Sequence, residues 1–296
     1  MSRSLLTALS LLLVVLVAGF TVVSQQSRPP KHRPAATHRA GASPSTSGSP
    51  SSSASPSSSA SPSPSQPPKP QSPATVVGLG DSVTAGSACP GCADFVQLYA
   101  KWLPAADGGP GKAVNLGVPG STSVDLRHDL EHPSQTTRVV SGASIDLVTI
   151  GANDLNPLRA RHRQSGCNAE CWQDSVAQVG TNVRAIVQDI KRLRHGRPTT
   201  ILVTNYWNVF VDGQYARENL GPAYLKWSDQ VTRSANNAIC SAAHSAGAQC
   251  VDLYAPFKGD GSEDPTDLLA SDGDHPNAAG HRVIARALLA ATPTPR

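Results

Sequence analysis

The chain has 296 residues, and its 25 Lys and Arg residues outnumber its 21 Asp and Glu residues, giving a formal net charge of +4. The excess is local: residues 1–73 hold six of the basic residues and no acidic one, so residues 74–296 carry a formal charge of −2 (19 basic against 21 acidic). A domain that binds nucleic acid needs a basic face, so we expect no nucleic-acid partner. A basic flexible segment instead suits an anionic lipid surface or a wall polymer near a membrane.

The N-terminal segment is apolar from residue 5 to residue 23, apart from Thr7, Ser10, Gly19 and Thr21, and Arg3 precedes it. This pattern predicts a signal peptide or an uncleaved signal anchor within residues 1–27, and both interpretations stay open. Both place the rest of the chain outside the cytoplasm. We therefore expect a secreted or membrane-anchored protein whose membrane contact, if any, is made by residues 5–23.

Residues 28–73 form a basic linker rich in Ser and Pro, and residues 41–68 are almost wholly Ser, Pro, Ala, Gly and Thr. Such a segment has too little apolar surface to offset its ordering entropy, so we expect a disordered, extended spacer. Residues 74–296 are long enough to bury a core of their own and form the predicted folded domain.

Within this domain, short apolar runs alternate with longer amphipathic segments. The runs predict five strands, at 76–80, 112–118, 145–150, 199–205 and 249–253. Helices are predicted at 93–103, 123–130, 176–193, 224–244 and 277–289, the third of them from an apolar stripe with steps of three and four residues. Alternation of this kind predicts an α/β fold with a parallel sheet covered on both faces.

Polar residues follow these strands where a parallel sheet places its ligands, at the carboxyl ends. Ser82 follows the first strand and is the candidate nucleophile, although on its own it could equally cap the next helix. A serine needs a base, and His275 is the candidate. Asp272, three residues earlier, could fix the imidazole tautomer, and Asp274 is the rival orienting residue.

The oxyanion of a tetrahedral intermediate also needs hydrogen-bond donors. Gly120, after the second strand, could offer its backbone N–H, and Asn153, after the third, its side-chain amide. Taken alone, Gly120 could be an ordinary turn glycine, and Asn153 could be a helix cap. The acidic residues of 260–274 could form a calcium loop, but their spacing does not match a known one, so no metal site is expected.

Six cysteines lie in three local pairs, and an even number behind a secretion signal implies disulfides. The spacing favours sequential pairing, with a thioredoxin-like redox pair as the alternative for the first two. The predicted pairs are Cys89 with Cys92, Cys167 with Cys171, and Cys240 with Cys250.

Four sequence blocks together resemble the GDSL/SGNH hydrolase superfamily. The blocks are Gly80-Asp81-Ser82-Val83-Thr84-Ala85-Gly86, Asn115-Leu116-Gly117-Val118-Pro119-Gly120, Gly151-Ala152-Asn153-Asp154 and Asp272-Gly273-Asp274-His275-Pro276-Asn277. The resemblance implies a flavodoxin-like α/β/α sandwich with a five-stranded parallel sheet. It also implies a Ser82–His275–Asp272 triad, an oxyanion hole made by Ser82, Gly120 and Asn153, and three sequential disulfides. Val83 stands where the family name has Leu, which is one apolar residue for another.

The implied function is hydrolysis of carboxylic esters through an acyl-enzyme, without a metal or an organic cofactor. The ester could carry a short acyl chain, an O-acetyl group on a glycan, or a lipid. An O-acyltransferase using the same acyl-enzyme and a non-catalytic module that binds wall or glycan are the alternatives. We expect a monomer, and Tyr206-Trp207-Asn208, after the fourth strand, is the expected cleft wall.

Overall fold

The computed structural model describes residues 72–104 and 109–293. The predicted signal segment 1–27 and the linker 28–73, apart from its last two residues, lie outside the described residues. Within the described ranges, no helix is both long enough and apolar enough to cross a membrane.

A single five-stranded sheet forms the centre of the domain. Every neighbouring pair is parallel, in the order β2-β1-β3-β4-β5, so the predicted α/β class and parallel sheet are confirmed. Because the strands run the same way, the residues that follow them meet at one edge. The strands are β1 (Thr75–Gly80), β2 (Lys112–Gly117), β3 (Ile145–Thr149), β4 (Thr200–Thr204) and β5 (Gln249–Val251).

Helices cover both faces of this sheet and give the three layers. The helices are α1 (Ser82–Ala85), α2 (Phe95–Trp102), α3 (Ser123–Glu131), α4 (Gln135–Gly142), α5 (Ala152–Ser165), α6 (Ala169–Leu193), α7 (Gly213–Asn219), α8 (Gly221–Ser245), α9 (Tyr254–Lys258) and α10 (Ala278–Ala291), with a 3₁₀ helix at Pro265–Leu268. On one face α2 packs against β1, β2 and α10, and on the other α6 packs against α3, α4, α5 and α8.

The predicted apolar stripe of α6 faces this core, where Val179, Val183 and Ile186 are fully buried. Five helices were not predicted, α1, α4, α5, α7 and α9, since each is short or offers few apolar residues to a periodicity test. Only two side chains of α5, Leu155 and Leu158, are buried apolar ones, and Pro157 within it argues against a helix by sequence.

Sulfur atoms lie at bonding distance in the sequential pairs that the spacing predicts. The S–S distances are 2.07 Å for Cys89–Cys92, 2.04 Å for Cys167–Cys171 and 1.98 Å for Cys240–Cys250. The last of these bonds ties α8 to β5, and the second closes the first turn of α6.

One ionisable side chain lies inside the sheet layer. Asp146 of β3 is fully buried, and its Oδ2 accepts a hydrogen bond of 3.0 Å from Thr199 Oγ1. Burial raises the pKa of Asp146 to about 7, although Thr199 and the Arg194 charge act in the opposite direction. At neutral pH this carboxyl therefore stands near its titration midpoint.

This position predicts a pH-dependent effect of Asp146→Asn on stability. The folded-state pKa lies above the ordinary value, so the stability that Asp146 contributes at low pH is lost as the pH rises through about 7. Asn does not titrate. The free energy of unfolding of the variant, relative to that of the wild type, should therefore rise by about 3 kcal/mol between pH 5 and pH 9. Urea unfolding at both pH values measures this. Asp174→Asn, on the exposed side of α6, is the control, and an equal gain there would contradict the prediction.

Candidate active site

The turn that carries Ser82 begins where β1 ends. Gly80 has a φ of +143°, and a Cβ there would lie 1.9 Å from the carbonyl oxygen of Thr149, so only glycine fits. Asp81 then caps α1, its Oδ1 accepting a hydrogen bond of 3.0 Å from the backbone N–H of Val83. Ser82 is therefore the first helical residue beyond the carboxyl end of a central strand, and it remains partly exposed.

A buried hydrogen bond fixes this turn from the other side. The hydroxyl of Tyr206 donates to Asp81 Oδ2 over 2.6 Å, and both side chains are almost completely buried. Burial raises the pKa of Asp81 to about 6, against the lowering effect of the Tyr206 bond. Burial and the Asp81 charge raise the pKa of Tyr206 well above its ordinary value, so the phenol stays protonated and donates.

His275 and Asp272 are brought together in the loop before α10. His275 Nδ1 lies 2.7 Å from Asp272 Oδ2, while Asp272 Oδ1 accepts from the backbone N–H groups of Asp274 and His275. A bridge between Leu269 and Pro276 closes the base of this loop. Of the two carboxylates predicted as orienting residues, Asp272 is the one that bonds to His275.

The two acids of this loop differ in their electrostatics. Partial burial raises the pKa of Asp272, but the bond from His275 and two backbone bonds outweigh burial, so the pKa lies below its ordinary value. For Asp274, burial and the Asp272 charge prevail over His275 and raise the pKa. Asp272 is therefore the stable carboxylate of the pair.

Asn153 and Gly120 lie on two loops that are bonded together. Asn153 Nδ2 donates to the carbonyl oxygen of Ser121 over 2.9 Å, and its Oδ1 accepts from Asn156. Asp154 accepts from the backbone N–H of Ser123 over 2.8 Å. Gly120 has a φ of +82° in the turn after β2. These bonds hold the turn after β2 against the start of α5, so the position of Gly120 relative to Asn153 is set.

Ser82 and Asn153 line one small cleft, and the expected wall, Tyr206-Trp207-Asn208, lines it with them. Asp274 also lines the cleft, and the residue after it is His275, whose charge is near enough to lower the pKa of Asp81. The cavity volume is about 20 Å³. The ends of β1 and β3 thus bring the nucleophile and an amide donor into one cleft, and the loop before α10 contributes Asp274, which lies between the two residues of the acid–imidazole pair.

The sequence profile of the GDSL-like Lipase/Acylhydrolase family matches residues 79–283, which include every site residue described above. The chain belongs to this family. It is accordingly a carboxylic ester hydrolase. The search of curated proteins found no match for the chain.

Solved structures share the fold of this family member at low sequence identity. The lipase Lip_vut3 from a goat rumen metagenome is 18% identical, with a TM-score of 0.61 over 73% of this chain and 96% of the lipase. A catalytic mutant of Axe2, an acetylxylan esterase from Geobacillus stearothermophilus, is 19% identical, with a TM-score of 0.51 over 74% of this chain and 94% of the esterase. At such identity the likeness establishes the fold.

Two contacts of the site were missed from the sequence. Tyr206 was expected to line the cleft, but not to bond to Asp81, which lies 125 positions away. Asp212, after β4, was not considered, yet its backbone N–H donates to the carbonyl oxygen of Gly273 over 2.7 Å in the catalytic loop. The sequence shows that Tyr206 and Asp212 are polar residues after the fourth strand, but it does not show which residues they contact.

Tyr206→Phe should destabilise the protein more at high pH than at low pH. The substitution removes a donor to a buried carboxylate and raises the pKa of Asp81 further, at a cost of about 1–3 kcal/mol when Asp81 is charged. Below the pKa of about 6 the protonated acid needs that donor less, so the cost shrinks as the pH falls to 5. Urea unfolding at pH 5 and pH 8 tests this, with Tyr215→Phe on the surface as the control. A loss that is larger at pH 5 would contradict the explanation.

Proposed function

We propose that this family member hydrolyses short-chain acyl esters outside the cytoplasm, through an acyl-enzyme formed on Ser82. The observation that carries the proposal is the meeting of Ser82 and Asn153 in one cleft beside the His275–Asp272 hydrogen bond. This is the arrangement that nucleophilic acyl transfer needs: a hydroxyl, a base held by an acid, and donors for an oxyanion.

The His275–Asp272 bond assigns the proton movements. With Nδ1 occupied by Asp272, Nε2 of His275 is the atom that accepts the Ser82 proton. Asp272 stays ionised, because its pKa lies below the ordinary value, and so stabilises the imidazolium that forms. Asp272 thus acts by orienting His275 and balancing its charge, without taking the proton.

Two steps complete the reaction. Ser82 Oγ attacks the acyl carbon, the bond from that carbon to the alcohol oxygen breaks, and His275 gives its proton to the leaving alcohol. Water then attacks the acyl carbon and gives a proton to His275, the bond from that carbon to Ser82 Oγ breaks, and His275 returns the proton to Ser82 as the acid leaves.

Negative charge develops on the carbonyl oxygen in both steps. The proposed donors are the backbone N–H groups of Ser82 and Gly120 and the Nδ2 of Asn153. An amide nitrogen carries two hydrogens, and the bond to the Ser121 carbonyl uses one of them. The second hydrogen is available to the oxyanion. The bond made by the first hydrogen fixes the amide before the substrate binds, as electrostatic stabilisation requires.

The size of the cleft supports a short acyl chain. Its volume of about 20 Å³ is close to the space that one water molecule occupies. Two almost completely buried aromatic side chains, Tyr206 and Trp207, form part of its wall. An acetyl group suits such a site better than a fatty acyl group does.

The proposed location rests on the cysteines and the N-terminal segment. Structural disulfides are typical of oxidising compartments, and residues 5–23 have the composition of a signal peptide or anchor. A basic linker behind that segment would hold the domain near an anionic surface.

Ser82→Ala should lower kcat for p-nitrophenyl acetate by about 10³-fold or more, since the nucleophile is lost. For the wild type, kcat/KM should fall steadily along the series of acetyl, butyryl, octanoyl and palmitoyl esters. Both are measured on the oxidised chain, with circular dichroism as the check on folding. An active alanine variant would contradict the nucleophile, and a preference for palmitoyl would contradict the short-chain assignment. Product analysis with an added sugar acceptor separates hydrolysis from acyl transfer.

Asp272→Asn should lower kcat by about 10²- to 10⁴-fold, because an amide no longer stabilises the required tautomer or the imidazolium. Asp274→Asn, in the same loop but without a bond to His275, is the matched comparison. We expect its loss to be smaller by about ten-fold or more. An equal loss of kcat in steady-state assays of the two variants would contradict the orienting role of Asp272.

A further inference from the structure

A second groove lies beside the catalytic loop, and we propose that it binds the sugar chain to which the ester group is attached. This Tyr215 groove lies between α7 and the loop 269–273. The residues that matter are Gln214, Tyr215, Glu218, Asn219, Ser271 and Gly273. This inference rests on the proposed function, because it names the alcohol part of the ester as a glycan.

The volumes of the cleft and the groove suit different parts of one substrate. The Ser82 cleft has about 20 Å³, and the Tyr215 groove has about 290 Å³, close to the lower end for pockets that hold small ligands. An ester with its acyl group in the cleft must place its alcohol part outside. The groove is the larger space that begins at the same loop.

The groove offers the groups that recognise sugars. Tyr215 is 42% exposed, and among the residues the structure describes it is one of three large apolar side chains with such exposure. An aromatic ring can pack against the C–H face of a sugar, while amides and carboxylates bond to its hydroxyls. Gln214 and Glu218 are exposed one turn apart and are bonded to each other over 2.6 Å. Both side chains are exposed, so they can also bond to hydroxyl groups.

Charge and polarity argue against other polymers. Glu218 lines the groove with an exposed carboxylate, and a carboxylate repels the phosphates of nucleic acid and of anionic lipid. A fatty chain would remove the exposed polar groups of Gln214 and Glu218 from water without offering them a hydrogen bond in exchange. A neutral, hydroxyl-rich chain matches this lining.

The groove and the cleft share two loops. The segment after β4 lines the cleft with Tyr206 and Asn208 and the groove with Asp212. The catalytic loop lines the groove with Gly273 and the cleft with Asp274, the next residue. Tyr215 also packs on Gly273, since a Cβ at that glycine would lie 2.9 Å from Tyr215 Cβ. The proposed sugar platform is therefore in contact with the loop that carries Asp272 and His275.

The test compares a large and a small ester in Tyr215 variants of the whole chain. The probes are partially acetylated oligosaccharides of xylose, glucose and N-acetylglucosamine, with p-nitrophenyl acetate as the small ester. Tyr215→Ala should lower the ratio of kcat/KM for the best oligosaccharide to that for p-nitrophenyl acetate by about five-fold or more, through KM. Tyr215→Phe keeps the ring and should keep the ratio within about two-fold. An unchanged ratio in Tyr215→Ala would overturn the groove and leave the esterase assignment intact.

A binding measurement keeps the proposal testable without turnover. In the Ser82→Ala background, calorimetric titration with the same oligosaccharides should give binding that Tyr215→Ala weakens by about five-fold or more. No binding of any of the three to the folded protein, or equal binding with and without the ring, would overturn the groove. Failure of the wild type to cleave p-nitrophenyl acetate would instead count against the proposed function, so the two failures are distinct.

Discussion

The buried carboxylate of Asp212 holds together the loops from which the site is built. Its Oδ2 accepts from Lys258 Nζ over 2.6 Å and from Asn208 Nδ2 over 2.9 Å, and both Asp212 and Lys258 are almost fully buried. Two charges removed from water are tolerated only when their remaining hydrogen-bonding groups are satisfied, and here Gly213 N–H satisfies Oδ1. With its side chain fixed, the backbone N–H of Asp212 holds the carbonyl of Gly273. The catalytic loop is thus positioned by an ion pair that has no part in the reaction.

The nucleophile depends on a second buried carboxylate. Asp81 receives the N–H of Val83 and the hydroxyl of Tyr206, and Tyr206 lies in the same segment that ends at Asp212. Residues 205–212 therefore touch the Ser82 turn at one end and the His275 loop at the other. Because packed protein interiors deform little, this segment helps to fix the position of the nucleophile relative to the base. Its sequence carries no catalytic group, yet the geometry of catalysis depends on it.

Physical reasons decide which features the sequence could predict. The strands were located within about two residues, since β-branched runs bounded by glycine leave few alternatives. Ser82, Gly120, Asn153, Asp272 and His275 could be placed at one edge because parallel strands carry their ends there. The Tyr206–Asp81 bond could not, because it depends on the path of a segment between β4 and α7 that has no periodicity. The helix α5 was missed for a similar reason, although Asn153 within it was predicted.

Gly273 shows why catalysis and specificity are linked in this fold. It has a φ of +69°, and a Cβ there would lie 2.6 Å from the carbonyl oxygen of Asp212 and 2.9 Å from Tyr215 Cβ. Its neighbours in the chain are Asp272, which is bonded to His275, and Asp274, which lines the cleft. Any shift of α7 would therefore press on the loop between the two acids. The polar side chains of α7 that line the groove can therefore be substituted without disturbing the triad. The backbone of α7, however, must keep the position that the triad requires.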